Sequence, residues 1–336
     1  MPFLQWFLFL AACLSISIYT LIFIILKRHK SNALLGGSFF QIVQMQYYAE
    51  VLLFIEFSIT MRARKYSSLY TLFEKDEQLT GIIPRLVSGF HYYIKIVVYS
   101  GYMTFAINRL TSAINISSYN SIWTPQLMKN IAIVKWTVPL LGVIPTHAWP
   151  GFTYWFLITE TNIRLSNDSL STALVAYVDG LCSLGTCVFC MICYTVTCFL
   201  LRKNWKRVGN DKAFRKISAQ SAAERSLLIS AVLSFVVLIL NTAVQVVTIL
   251  ISWGSAQTLL FVQDLSYPMI DLMYSHFPWV LLVTSGVLRK QMIYDTKIFL
   301  RRTLKLDDAS VNTIRVGVTI SPATQKTTNN NAVLNF

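Results

Sequence analysis

A chain of 336 residues that is 54% hydrophobic and only 13% charged, with a mean hydropathy of +0.53, is an integral membrane protein rather than a large soluble domain. Its net charge of +14 invites a nucleic-acid reading. The bases lie beside long apolar stretches, however, where a leaflet rich in anionic lipid accounts for them, and no nucleic-acid partner is expected.

Seven such stretches follow one another: Phe3–Leu26, Phe40–Thr60, Ile83–Ile107, Ile131–Pro150, Thr172–Leu201, Ser226–Trp253 and Leu260–Leu288. Each is close to the roughly 20 apolar residues that cross hydrocarbon. Unbroken runs of this kind are helices, because lipid-exposed backbone must satisfy its own hydrogen bonds, whereas barrel strands alternate in polarity. The expected fold is all-α, a seven-transmembrane helix bundle over residues 1–305.

The first span ends in Lys27-Arg28-His29-Lys30. It lacks a basic n-region and is longer than a signal-peptide core, so it reads as an uncleaved helix. The second is the least hydrophobic. Gln41, Gln44 and Tyr48 fall at helical spacing and, with Glu50, predict a polar face turned inward. Arg62–Ile82 reads as an outer loop whose Arg62, Arg64 and Lys65 are partly balanced by Glu74, Asp76 and Glu77. The third span closes on Asn108-Arg109, and in the fourth Lys135 is expected to snorkel to the interface. The second outer connection, Gly151–Ser171, contains Asn167-Asp168-Ser169, an N-glycosylation acceptor; Asn115-Ile116-Ser117 has the same pattern on the opposite side, where it stays bare. The fifth span holds Cys182, Cys187, Cys190, Cys193 and Cys198, read as small, soft residues packing between helices rather than as metal ligands. Beyond the last span, Arg289–Leu304 sorts Met292, Ile293 and Phe299 from Lys290, Lys297 and Arg301, the pattern of a short helix lying on the inner membrane surface. Residues 306–336 are polar and read as a disordered tail.

Orientation follows from the bases. With the N-terminus outside, the inner connections and tail collect Lys27, Arg28, Arg109, Lys129, the cluster from Arg202 to Arg225, and Arg289 to Lys305. The outer side keeps far fewer, so the positive-inside rule places the N-terminus outside and the C-terminus in the cytosol.

Enzyme chemistry finds no support. His29, His91, His147 and His276 fall in different regions without paired spacing, and no P-loop, GxGxxG or GxSxG is present. No metal and no cofactor is expected. Ionisable residues inside spans instead mark a functional interior. Counted at about 1.5 Å per residue, Glu50 lies about 15 Å deep and Lys95 about 18 Å, so the two are expected to pair. The pair either contacts a ligand or only fixes helix packing. Asp179 and Asp271 reach comparable depth, Asp271 without an obvious basic partner. Together with Tyr99, Tyr102 and Tyr267 they are the candidate lining of an outward-facing cavity. At the inner face, Arg109 is either a simple anchor or a switch paired with Glu224 and released to a cytosolic partner.

These residues carry a resemblance. Asn-Arg-Leu-Thr-Ser at Asn108–Ser112, Trp123, Ala-Glu-Arg-Ser-Leu at Ala223–Leu227, and a last span with Asp271 and Pro278-Trp279-Val280-Leu281-Leu282 before Leu288-Arg289 resemble the nematode serpentine chemoreceptors. The class gamma (Srg) group is the nearest, with class V a close relative. The resemblance implies a G-protein-coupled chemosensory receptor of the plasma membrane, in sensory neurons and their cilia. It would bind a small molecule and engage a heterotrimeric G protein through Asn108 and Arg109. The outer-loop disulfide, a helix-six proline and the Asn-Pro-x-x-Tyr of rhodopsin-like receptors are absent. The competing class is a transporter or channel that uses the buried charges as a permeation path.

Overall fold

The computed structural model describes residues 2–32, 35–62, 81–114, 119–158, 163–208, 214–251 and 256–303. Seven long helices dominate it: α1 (Pro2–Arg28), α2 (Ser38–Glu56), α3 (Ile82–Ile114), α4 (Pro125–Ala148), α5 (Ser169–Val208), α6 (Phe214–Ile251) and α7 (Ala256–Thr284). An eighth, α8, runs over Gly286–Thr303, where the amphipathic segment is expected. The chain divides into two compact units, Met1–Met292 and Ile293–Phe336. The disordered tail expected at 306–336 lies outside the described residues.

Local sequence sets the helix ends. Thr124 caps α4, its hydroxyl oxygen accepting from the Leu127 amide at 3.2 Å, and Pro125 follows at the first helical position, where a missing N–H costs nothing. Asp168 plays the same part for α5, its carboxylate accepting from the Ser171 amide at 3.0 Å. The turn into α2 needs Gly36, because a Cβ there would lie 2.1 Å from the Lys30 carbonyl oxygen. Past Glu56, α2 widens into a π-helix over Phe57–Arg62. The span expected to end at Thr60 therefore continues to Arg62, and Arg62 is buried rather than part of a loop.

The helices of the first unit close into a ring, α1 against α2, α2 against α3, α3 against α5, α5 against α6, α6 against α7 and α7 back against α1, while α4 packs outside on α3. Two buried clusters fill the ring. One gathers Leu53, Val97, Tyr99, Cys190, Leu238, Met273 and Tyr274; the other gathers Tyr19, Leu26, Phe39, Phe105, Phe277 and Leu281. Lipid is as apolar as leucine, so this packing holds by close fit and interhelical hydrogen bonds rather than by escape from water. Cys190 and Cys193 belong to the first cluster, in keeping with a packing role.

Four helices, Trp6–Arg28, Pro125–Ala148, Leu170–Lys203 and Ser226–Leu250, are each long and apolar enough to cross a membrane by length and composition. The remaining three, α2, α3 and α7, carry buried Glu50, Glu56, His91, Lys95 and Asp271. The connection between α4 and α5 departs from a plain loop. It forms an antiparallel hairpin of β1 (Tyr154–Ile158) and β2 (Ile163–Asn167), with Tyr154 opposite Asn167. The run Tyr-Trp-Phe-Leu-Ile carries the aromatic and β-branched residues that favour strands. Asn167, the glycosylation candidate, sits at its end.

Candidate functional site

The ionisable residues singled out from the sequence do meet inside the bundle, but in other pairs. Lys95 on α3 donates to the Asp179 carboxylate on α5 and lies 5.4 Å from the Tyr92 ring centre. The expected Glu50–Lys95 pair is therefore not formed. Glu50, wholly buried, accepts instead from the Gln46 amide one turn away at 2.9 Å. The Gln46 oxygen in turn accepts from Lys135 on α4 at 2.7 Å. Lys135 is thus a buried member of this array, not a side chain reaching for the interface. It does so because an ammonium held by Gln46 and by the Met45 carbonyl, at 3.4 Å, finds its acceptors inward. Gly101 makes the array fit, since a Cβ there would fall 1.7 Å from the Gln46 amide oxygen.

Asp271 has a partner that the loop reading hid. The π turn brings Arg62 inward to donate to Asp271, and Tyr274 donates its hydroxyl to the same carboxylate. The guanidinium also lies 5.2 Å from the Phe9 ring centre and 5.4 Å from that of Phe57, favourable ground for a planar cation. Tyr267 packs its ring 5.3 Å from Phe57. Nearby, Glu56 accepts from or donates to His91 Nδ1 at 2.8 Å, according to which of them holds the proton. Neither Glu56 nor His91 stood out in the sequence. The signal available was their burial-prone position on the polar helices α2 and α3, and nothing in the spacing joined them.

Tyr99 ties a third helix to these pairs. Its hydroxyl donates to Asp179 at 3.2 Å and accepts from the Asn241 amide of α6 at 3.0 Å. Lys95, Tyr99, Asp179 and Asn241 therefore form one buried polar chain across α3, α5 and α6. Tyr102 stands apart, its hydroxyl donating to the Met273 carbonyl at 3.4 Å. Buried charges of this kind are costly unless paired, and here each pairing joins two helices.

At the other end of α3, Asn108 and Arg109 are both buried. The Asn108 amide donates to Tyr119 at 2.8 Å and to Ser38 at 3.2 Å, while its oxygen accepts from Arg109 Nη2 at 2.6 Å. The Arg109 guanidinium rests 4.7 Å from the Phe39 ring centre. Trp123 bonds Thr111 from the same connection at 2.8 Å. Glu224, the expected partner of Arg109, lies in α6 with its side chain outside the described residues.

Beside the hairpin, Asp168 is placed by backbone donors, the amides of Thr153 and Ser171. Desolvation works against it, but the hydrogen bonds donated by Ser171 and Thr153 together outweigh this and hold its carboxyl below the ordinary range. Burial pushes the Tyr154 hydroxyl up to about 12.

A bundle of seven long helices, six in a ring with paired charges inside and α4 packed on its outside, is the architecture of a seven-helix receptor. The crystal structure of squid rhodopsin superimposes with a TM-score of 0.68 over 90% of this chain and 86% of that one, at 13% sequence identity, a likeness of fold alone. No curated protein matches the chain by sequence. The family model described as serpentine type 7TM GPCR chemoreceptor Srv matches residues 8–298, and the chain belongs to that family. It is thus a multi-pass membrane protein of a receptor class, not an enzyme. Of the two groups that the motifs brought forward, the match is to the class V side.

Proposed function

We propose that the chain is a chemosensory receptor that binds a small molecule among the helix-joining charges and activates a heterotrimeric G protein at the opposite face. The observation that carries this reading is the chain Lys95–Asp179–Tyr99–Asn241, which joins α3, α5 and α6 through side chains alone. A ligand bearing a charge or hydrogen-bonding group exchanges partners with one member of this chain. It then stabilises one arrangement of the three helices over another, which is what a ligand must do to shift a conformational equilibrium. The Arg62–Asp271 pair, with Tyr267 beside it on Phe57, extends the same candidate lining toward α2 and α7, and Tyr102 remains a candidate for the same lining. Glu50 sits in a separate array with Gln46 and Lys135, so its part is to position α2, α3 and α4.

In this reading the N-terminus is outside, Asn108 and Arg109 face the cytosol, and Arg109 with Glu224 forms the switch. The plasma membrane of a sensory neuron, and its cilia, is the proposed location. The test is a panel of small molecules applied to cells expressing the chain, read by G-protein activation and by membrane current together. G-protein activation without current supports the receptor. Current or substrate flux without G-protein activation supports a transporter or channel, to which the buried charges lend themselves.

A further inference from the structure

A second feature lies outside the ring, apart from every buried ion pair. Between the hairpin-side ends of α3 and α4 runs a cleft of about 830 Å³, within the roughly 300–1,000 Å³ typical of small-molecule sites. Its walls are apolar, Leu86 and Phe90 from α3 with Leu140 and Val143 from α4, and its charge sits at one end, on Arg85. The side is open: Leu86 is 63% and Leu140 38% exposed, so in a membrane both face lipid.

The end at Arg85 is a built one. His147 is fully committed there, to Ser88 at 3.0 Å and to Thr146 at 2.7 Å, with its ring stacked on Tyr154 at 5.2 Å. Arg85 donates through Nη2 to the Phe152 carbonyl and lies 5.8 Å from the Tyr154 ring centre. It is only half-buried, and a guanidinium has five N–H donors, so its fork keeps donors for an anion. From Arg85 to Tyr93, at the far end of the cleft, is about 12 Å along the helix at 1.5 Å per residue. One leaflet of a bilayer whose hydrocarbon is about 30 Å thick has nearly that depth. The cation therefore sits where headgroups begin, and the apolar slot extends where acyl chains lie.

We propose that this cleft binds a bilayer phospholipid, with one acyl chain between α3 and α4 and the phosphodiester on Arg85. The chain gains little by moving from lipid into an apolar slot, so the charge-assisted bonds of Arg85 to the phosphate decide occupancy. The site is independent of the proposed chemosensory cavity, because it opens sideways to the membrane and shares no residue with the ion-paired interior.

The experiment uses the full chain in nanodiscs containing phosphatidylcholine with a diazirine midway along one acyl chain. After irradiation and digestion, adducts should concentrate on the peptides holding Leu86–Tyr93 and Leu140–Ala148, above those on the lipid-facing side of α1. Arg85→Gln should lower the cleft adducts by about tenfold and leave the α1 adducts unchanged. Leu140→Trp, which fills the slot and keeps Arg85, should lower them as well, so the test survives if one variant fails to fold. Equal labelling of all lipid-facing surfaces would overturn the proposal, as would an Arg85→Gln protein that is folded and labelled like the parent. Preferential labelling by a diazirine fatty acid over the phospholipid would also overturn it, since the occupant would then be a free amphiphile.

Discussion

The two halves of α3 hold their cations in opposite ways. At Lys95 the ammonium is paired with a carboxylate on another helix, backed by Tyr99 and Asn241. At Arg109 the guanidinium takes a neutral amide oxygen from its own neighbour, Asn108, and the face of Phe39. The first arrangement is expensive to break, because either partner left alone is an uncompensated buried charge. At the second, the amide and the ring together contribute about 1–2 kcal/mol. On the proposed reading, the Lys95 side fixes and senses, and the Arg109 side moves.

The largest effect tests the firmly held half. Lys95→Met or Asp179→Leu alone should cost about 3–5 kcal/mol, whereas the double change should be far milder than the sum. Folded receptor surviving a heating series in detergent measures both. Strictly additive losses would show that the pair is not coupled.

A smaller effect is expected at Gly101. Gly101→Ala forces Gln46 away from Glu50 and Lys135, an overpacking of about 1–3 kcal/mol. Gln46→Ala in the same chain makes room for the new methyl, so the double variant should melt closer to the parent than the sum of the singles. If Gly101→Ala melts with the parent, the Lys135–Gln46–Glu50 array is looser than described.

At the hairpin, Asp168→Ala removes the cap of α5 and should cost about 1 kcal/mol. Its pH dependence has a definite sign. The folded carboxyl titrates below its ordinary value, so its contribution is present above about pH 3.9 and fades as the pH falls through the lower folded value. Asp168→Asn should flatten that acid limb of a hydrogen-exchange profile at the start of α5. A limb unchanged by the substitution would remove Asp168 as its cause.

The smallest effect leaves stability aside. Asn167→Gln should abolish a glycosidase-sensitive mass shift, and Asn115→Gln should not. A glycan on Asn115 would invert the proposed orientation.

Much of this contrast was legible in the chain before folding. The long apolar runs place every helix, and Asp179, Tyr99 and Lys95 stand out because ionisable and hydroxyl groups are rare at such depth. Their pairing was not legible. Depth counted along helices puts Glu50 and Lys95 at similar levels, but which faces meet depends on helix rotation, and Lys95 turns to Asp179 on the adjoining α5 while Glu50 turns to Gln46. Arg62 was assigned to a loop because the π turn at Phe57–Arg62 has no sequence signature as plain as a proline. Lys135 read as an interfacial lysine because its acceptors, Gln46 and the Met45 carbonyl, belong to a helix nearly ninety residues earlier. Asn108-Arg109 was the clearest local motif, yet its companions Tyr119, Ser38 and Phe39 are set by tertiary packing.

On the proposed reading, Arg109 is the movable charge. Basal nucleotide exchange on a heterotrimeric G protein, measured in membranes at matched surface density, tests it without a known ligand. If Glu224 holds Arg109 at rest, Glu224→Gln removes a contact worth about 1–3 kcal/mol and raises basal exchange by about 5–150-fold at most. Arg109→Ala should be silent, and so should the double variant. Basal exchange unchanged in Glu224→Gln, or normal coupling in Arg109→Ala, would contradict the account and leave Arg109 a structural anchor.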